Sequence, residues 1–236
     1  MFFTDQYQSI IASMAVFAFR YYFIAGILYY IFYTQKQKSF FHLKLNKKHP
    51  STAQLKTEFI YGGMTLLIYS FSTLLLISWY QSGWTRIYLS IEEYGYPYLV
   101  FSIAVMIVLH DAYFYWTHWL MHKLPFLYRF HKIHHRSHNP NPWTTFSFHP
   151  VEALISLGII PVIVFLLPVH PVALLFFSTT LTLYNIWIHL GYNITAPFLK
   201  NNFQNTPENH DLHHKNGKHN FGFYFLVWDK IMKTYK

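Results

Sequence analysis

The stretch YLVFSIAVMIVLHDAYFYWTHWLMH, residues 98–122, decides the fold. From Tyr98 to Leu109 it is almost unbroken apolar sequence. It then stays aromatic but takes on Asp111, His118 and His122. Crossing a bilayer takes about 20 residues of helix, and this run has the length and the missing polar face of such a span. Working outward, comparable segments run from about Ile10 to Tyr33, interrupted by Arg20, and from Phe59 to Tyr80. Two more, Val151 to Leu167 and Val172 to Leu190, are joined by Pro168-Val169-His170-Pro171, a connection short enough to require a helical hairpin. The expectation is an all-α, integral-membrane helical bundle of four to five spans.

Composition agrees. Of 236 residues, 53% are hydrophobic and 22% aromatic, while 11% are charged, against about 25% in soluble domains. That leaves too few charges to cover a soluble surface. The length fits one domain, residues 1–236, with no linker or internal repeat. No secretory signal peptide precedes the first span, because a basic leader and a small-residue cleavage site are both missing. Cysteine is absent, which excludes disulfide frameworks, thiolate zinc sites and cysteine-ligated iron–sulfur clusters.

The basic residues orient the bundle. With the N-terminus outside, 16 of the 18 fall on the cytoplasmic side, in the loop Thr34–Lys56, the segment 123–136 and the tail from Lys200. Outside lies Arg86, with Asp5, Glu92 and Glu93. Such an asymmetry satisfies the positive-inside rule. The net charge of +9 then reads as a surface facing anionic lipid headgroups, not as a nucleic-acid interface.

Sixteen histidines are the other anomaly. His118 and His122 stand one helical turn apart, on one face. His131-Lys-Ile-His134-His135 follows, and His210-Asp-Leu-His213-His214 repeats its spacing 79 residues later. On a helix, positions i, i+3 and i+4 share a face, so each cluster can offer its imidazoles to one region of space. Eight histidines exceed what one metal takes and suit two. A solvated patch would have no reason to repeat its spacing. None of the clusters has the Glu of H-E-x-x-H. All-imidazole sites suit zinc, copper, iron or nickel, and the residues alone leave zinc open beside an oxygen-activating iron pair. They form a histidine-rich helical cap on the cytoplasmic side.

In family order the motifs are HDAYFYWTHWLMH (110–122), HKIHHRSHNPNPW (131–143), FHPVE (148–152), NIWIHLGY (185–192) and HDLHHKNGKHNFGFYFLVWDK (210–230). Together they resemble the fatty acid hydroxylase superfamily of sterol desaturases, sterol methyl oxidases and related membrane di-iron enzymes, over residues 109–235. By that resemblance His118, His122, His131, His134, His135, His210, His213 and His214 are metal ligands, and His189 a ninth. His149 either supports a ligand or ligates. His110 and His138 have no decided role, and His42, His49, His170 and His219 have no site argument. Asp111 sits two turns before His118, where a carboxylate is costly unless paired or functional. It either accepts an N–H from a ligating imidazole or pairs with Arg20. Two positions depart from the family pattern, Trp119 where Arg is common and Lys233 where Gly is usual. They bear on subfamily rather than chemistry.

The resemblance implies an oxygen-dependent, di-iron lipid hydroxylase or desaturase. Its cofactors would be two iron ions, which zinc can replace on purification, with molecular oxygen as co-substrate. Its substrate, a sterol, fatty acyl chain or related lipid, would enter from the bilayer. No Gly-rich dinucleotide motif or haem domain is evident, so electrons would come from a separate carrier such as cytochrome b5 or a ferredoxin with its reductase. The length favours a bacterial inner membrane over the endoplasmic reticulum. The rivals are a zinc-dependent membrane hydrolase and a histidine-rich metal transporter. A transporter would place its ionisable groups near the bilayer midplane, whereas these histidines gather at one interface.

Overall fold

A computed structural model of the chain describes residues 6–195 and 203–236. Asp5 and Lys200, both counted in the charge balance, lie outside the described residues. Four helices are long and apolar enough to cross a membrane: α1 (Tyr7–Gln35), α2 (Thr52–Gln81), α3 (Gly95–Lys123) and α7 (Pro171–Ile188). Between α3 and α7 come α4 (Pro125–His135), α5 (Pro150–Leu157) and α6 (Ile159–Leu166), and after α7 the short α8 (Pro207–Asn216) and α9 (Val227–Ile231). Among the described residues there is no strand, only isolated bridges such as Lys44 to Tyr192 and Ile87 to Val169. The protein is a multi-pass membrane protein. Leu67, Phe71 and Leu75, one turn apart on α2, point outward, as do Val100 and Val108 on α3, a surface that only lipid covers favourably.

The expected span at 151–167 is the exception. Pro150 to Leu166 is 17 residues long, about 25 Å at 1.5 Å per residue and short of a bilayer core. It also breaks at Gly158. Pro161 can neither donate its missing N–H to Leu157 nor fit its ring past that carbonyl. At the break, Tyr113 Oη donates to the carbonyl of Ile155 at 2.6 Å and fills the space a side chain at 158 would need. The bundle therefore has four helices of spanning length and a kinked, shorter α5–α6 pair.

Polar contacts lock the ends of the elements. Ser51 caps α2, and Thr206 caps α8. Gly217 closes α8 with φ 62°, the left-handed cap that glycine favours. Arg20 lies within a wide π-type turn of α1, Phe19–Ala25, and stays internal by donating to Ser178 Oγ at 2.9 Å. Glu58 of α2, 0% exposed, accepts from Ser137 (2.7 Å), Asn141 (2.9 Å) and Thr144 (2.8 Å). It thereby ties the 136–147 loop to the bundle. The same loop buries Trp143 and Phe146 against Tyr21 of α1.

Candidate metal centre

Local chain chemistry assembles the centre. Leu124 precedes Pro125 and is held extended, φ −98° and ψ 113°, as a pre-proline residue prefers. That single break folds α4 back along the end of α3. His131, His134 and His135 of α4 thus meet His118 and His122 of α3. The polar α8 adds His210, His213 and His214, and His189 arrives as the residue that caps the C-terminus of α7. The nine fall into two groups, His118/His122/His131/His135/His213 and His134/His189/His210/His214. Within each group the donor atoms lie within 4.8 Å of one another.

The hydrogen bonds behind these rings decide what the groups can hold. His118 Nδ1 donates to the carbonyl of Phe221 (2.9 Å), His189 Nδ1 to that of Asn185 (2.8 Å) and His213 Nδ1 to that of His219 (2.7 Å). His135 Nδ1 faces the carbonyl of His214 at 3.4 Å, and His131 Nδ1 donates to Glu152 Oε1 at 2.7 Å. A carbonyl only accepts, so the neutral His118, His135, His189 and His213 rings carry their hydrogen on Nδ1 and a bare lone pair on Nε2, and an ionised Glu152 sets His131 the same way. In the first group those lone pairs face one another: His131 Nε2 lies 3.1 Å from both His118 Nε2 and His135 Nε2. In the second, His210 Nε2 lies 2.8 Å from His189 Nε2, while the Nδ1 atoms of His134, His210 and His214 are buried without a partner. The Nε2 of His213 is buried without a hydrogen-bond partner.

Two bare lone pairs at that distance repel unless a cation lies between them. Metal–nitrogen bonds of roughly 2.1 Å at right angles set neighbouring nitrogens about 3.0 Å apart, which is the spacing found here. Burial, followed by the neighbouring imidazoles, also holds His131, His134, His210, His213 and His214 well below the ordinary histidine range. They are therefore neutral, as ligation requires. The residues fit two metal ions, one per group.

Both groups border one cavity of about 30 Å³, enough for a water or two. His118 and His131 reach it from one group, and His134, His189 and His210 from the other. Phe114, Met121, Phe148 and Ile155 supply apolar wall. Small reactants can therefore reach both groups in a water-poor space.

Residues 103–234 match the fatty acid hydroxylase family. The chain belongs to that family. Similar proteins include a Delta(7)-sterol 5(6)-desaturase of Gibberella zeae, 31% identical over 220 residues, covering 93% of this chain and 65% of that one. Mouse lathosterol oxidase is 27% identical over 220 residues, 92% of this chain and 70% of its own. Human cholesterol 25-hydroxylase is 37% identical over 145 residues, 58% of this chain and 52% of its own. The chain thus spans between 52% and 70% of the length of these relatives. No solved structure matches it.

The family's histidines converge, but two expected supports sit elsewhere. Asp111 touches no imidazole and does not pair with Arg20. Its Oδ1 accepts the backbone N–H groups of Tyr224 (2.8 Å) and Phe225 (3.1 Å). Seven residues of helix, about 10 Å, separate it from His118, more than its short side chain spans. Asp229 holds the other end of that turn, accepting from Phe221 (2.9 Å) and Gly222 (2.8 Å). The two carboxylates thus position the carbonyl of Phe221, and the carbonyl holds His118. His149 lies outside both groups, half-buried, with Nδ1 accepting from Val151 N–H as the cap of α5. The carboxylate that touches one of the nine histidines is Glu152, one turn further along α5. Its signal in the sequence is an acid in an otherwise apolar helix. His110 lies among Phe114, Phe177, Phe223 and Tyr224, and His138 is exposed.

Proposed function

We propose that this chain is a membrane-bound, oxygen-dependent oxidoreductase that hydroxylates or desaturates a lipid. His118, His122, His131, His135 and His213 would hold one iron, and His134, His189, His210 and His214 the other. The observation that carries this reading is the convergence of nine buried or half-buried imidazoles into two groups, five of them anchored through Nδ1, beside one cavity. The names of the relatives, a sterol desaturase, a lathosterol oxidase and a cholesterol hydroxylase, support a sterol or similarly rigid lipid as substrate.

When bound, the iron pair would supply oxygen-dependent oxidation of an unactivated C–H bond. The chain's own contribution is positional. Glu152 and the backbone carbonyls would keep the proton of His118, His131, His135, His189 and His213 on Nδ1, so that their Nε2 lone pairs stay aimed at the metals. The wall of Phe114, Met121, Phe148 and Ile155 would keep water out and hold the carbon to be oxidised against both groups. Electrons would arrive from a separate carrier, cytochrome b5 or a ferredoxin with its reductase, at the cytoplasmic face of a bacterial inner membrane.

The test uses protein purified without oxygen and the lipids of a host that makes it. One iron per histidine group is expected, with a new hydroxylated or unsaturated lipid that forms only in air. His134→Ala should abolish that product while leaving the helices folded. A lipid product that forms equally without oxygen, or turnover sustained by zinc alone, would overturn the reading in favour of a hydrolase.

A further inference from the structure

At the end of the bundle remote from the histidines, the loop 82–94 and the turn 167–170 enclose an open cavity of about 620 Å³. Its frame is fixed by backbone pairing. Arg86 N–H donates to the carbonyl of Val164 (2.7 Å), Tyr88 N–H to that of Val169 (3.1 Å), and Val169 N–H to that of Arg86 (3.2 Å).

Three features of the lining lack a counterpart within the protein. Arg86 and Glu93 both line the cavity, yet they do not pair with each other: the ion pairs found among the described residues are His131–Glu152 and Lys215–Asp211. Tyr88 is 5% exposed, and its hydroxyl is buried with no hydrogen-bond partner, as is that of Thr85. Both residues line the cavity. The rings of Tyr88 and Tyr94, 4.7 Å apart between centroids, form an electron-rich wall. Leu89 of the lining is 54% exposed, and Trp84 and Tyr96, close in the chain to lining segments, are 67% and 71% exposed, the aromatic and apolar residues of a membrane boundary.

A ligand that answers all of these carries an anionic group for Arg86 and the two hydroxyls. It also carries a cation for Glu93 and the tyrosine faces, and hydrocarbon for the exposed apolar residues. We propose that this cavity binds the headgroup of a zwitterionic glycerophospholipid, phosphoethanolamine or phosphocholine, from the leaflet opposite the histidine centre. The phosphate lies against Arg86, Thr85 and Tyr88, and the ammonium against Glu93 and Tyr94. The lipid then braces the α2–α3 loop against the α6–α7 turn, independently of the chemistry at the other end.

Native mass spectrometry of the full chain, released from vesicles of equal phosphatidylethanolamine and phosphatidylglycerol, tests this. The wild type should keep phosphatidylethanolamine in preference. Arg86→Gln should lower its retention by about tenfold, the effect of losing one charged hydrogen bond. Glu93→Gln, at an exposed site that leaves folding intact, should erase the preference between the two lipids. Tailless glycerophosphoethanolamine should fail to displace the lipid at equal concentration. Equal retention of both lipids by the wild type, unchanged retention in both variants, or displacement by the tailless headgroup would each overturn the proposal.

Discussion

Glu152 is 3% exposed, and one of its oxygens is committed to His131 at 2.7 Å. Its other oxygen has no partner, so the hydrogen bond to His131 is what offsets its burial. Replacing the acid should loosen His131 without breaking the fold. Glu152→Gln is expected to lower iron affinity or activity by about 10- to 100-fold, the usual cost of removing support behind a ligand. Iron content and circular dichroism on the same sample would check it. Asp111 should behave differently. Asp111→Asn keeps an acceptor for the Tyr224 and Phe225 amides, so iron content should hold. Asp111→Ala leaves two N–H groups without an acceptor, at roughly 1–3 kcal/mol each, and should lower the melting temperature together with iron content. The contrast marks what is legible in the sequence. Eight of the nine histidines declare themselves through i, i+3 and i+4 spacing, which is a local property, whereas His189 is named only by the family resemblance. The partner of His131 lies 21 residues away on another helix, so its identity depends on how α4 and α5 meet. His149 stands out in the sequence because it sits beside Pro150. Yet His170 beside Pro171 makes the same bond, Nδ1 accepting from the N–H two residues on. The His-Pro pair is a helix-start device in both places.

At the scale of elements, the α5–α6 pair shows why hydropathy misjudges a span. Averaging over Val151 to Leu167 records how apolar the run is and nothing about its direction. Gly158 and Pro161, which turn the chain, are themselves compatible with an apolar average. The break has a use: it brings Glu152, Ile155 and Ser156 to the cavity beside the histidines. Tyr113 of α3 holds it, with its hydroxyl on the carbonyl of Ile155 and its ring over Gly158. Gly158→Ala would push a methyl group into the Tyr113 hydroxyl. It should destabilise the protein by about 1–3 kcal/mol, the cost of overpacking. Tyr113→Phe removes the clashing oxygen, so the double variant should recover much of that loss. Thermal melting of the single and double variants in one detergent would reveal the coupling. Independent, additive losses would show that the two residues do not brace the same break.

At the scale of the whole molecule, the two ends differ in charge as well as chemistry. The segments 36–56, 123–136 and 203–236 sit with the histidines, while the loop 82–94 and the turn 167–170 close the opposite end. Not every lysine at the histidine end is surface charge. Lys44 is 4% exposed and stacks on Tyr33, its Nζ 4.5 Å from the ring centre, and burial lowers its pKa to about 8. Its place in a Lys-rich loop makes it a natural topology probe, and its burial makes it a poor one. Lys38 and Lys218 are exposed at the same end, and Trp84, 67% exposed, marks the other. With no native cysteine, a single introduced thiol reports its side of the membrane unambiguously. The excess of Lys and Arg at the histidine end should keep that end in the cytoplasm. Lys38→Cys and Lys218→Cys should therefore resist a membrane-impermeant maleimide in intact cells and react once the cells are opened. Trp84→Cys should react from outside in both conditions. The opposite pattern would place the histidines beyond reach of a cytoplasmic electron carrier, and the reductive half of the proposed reaction would then need a donor on the outer face.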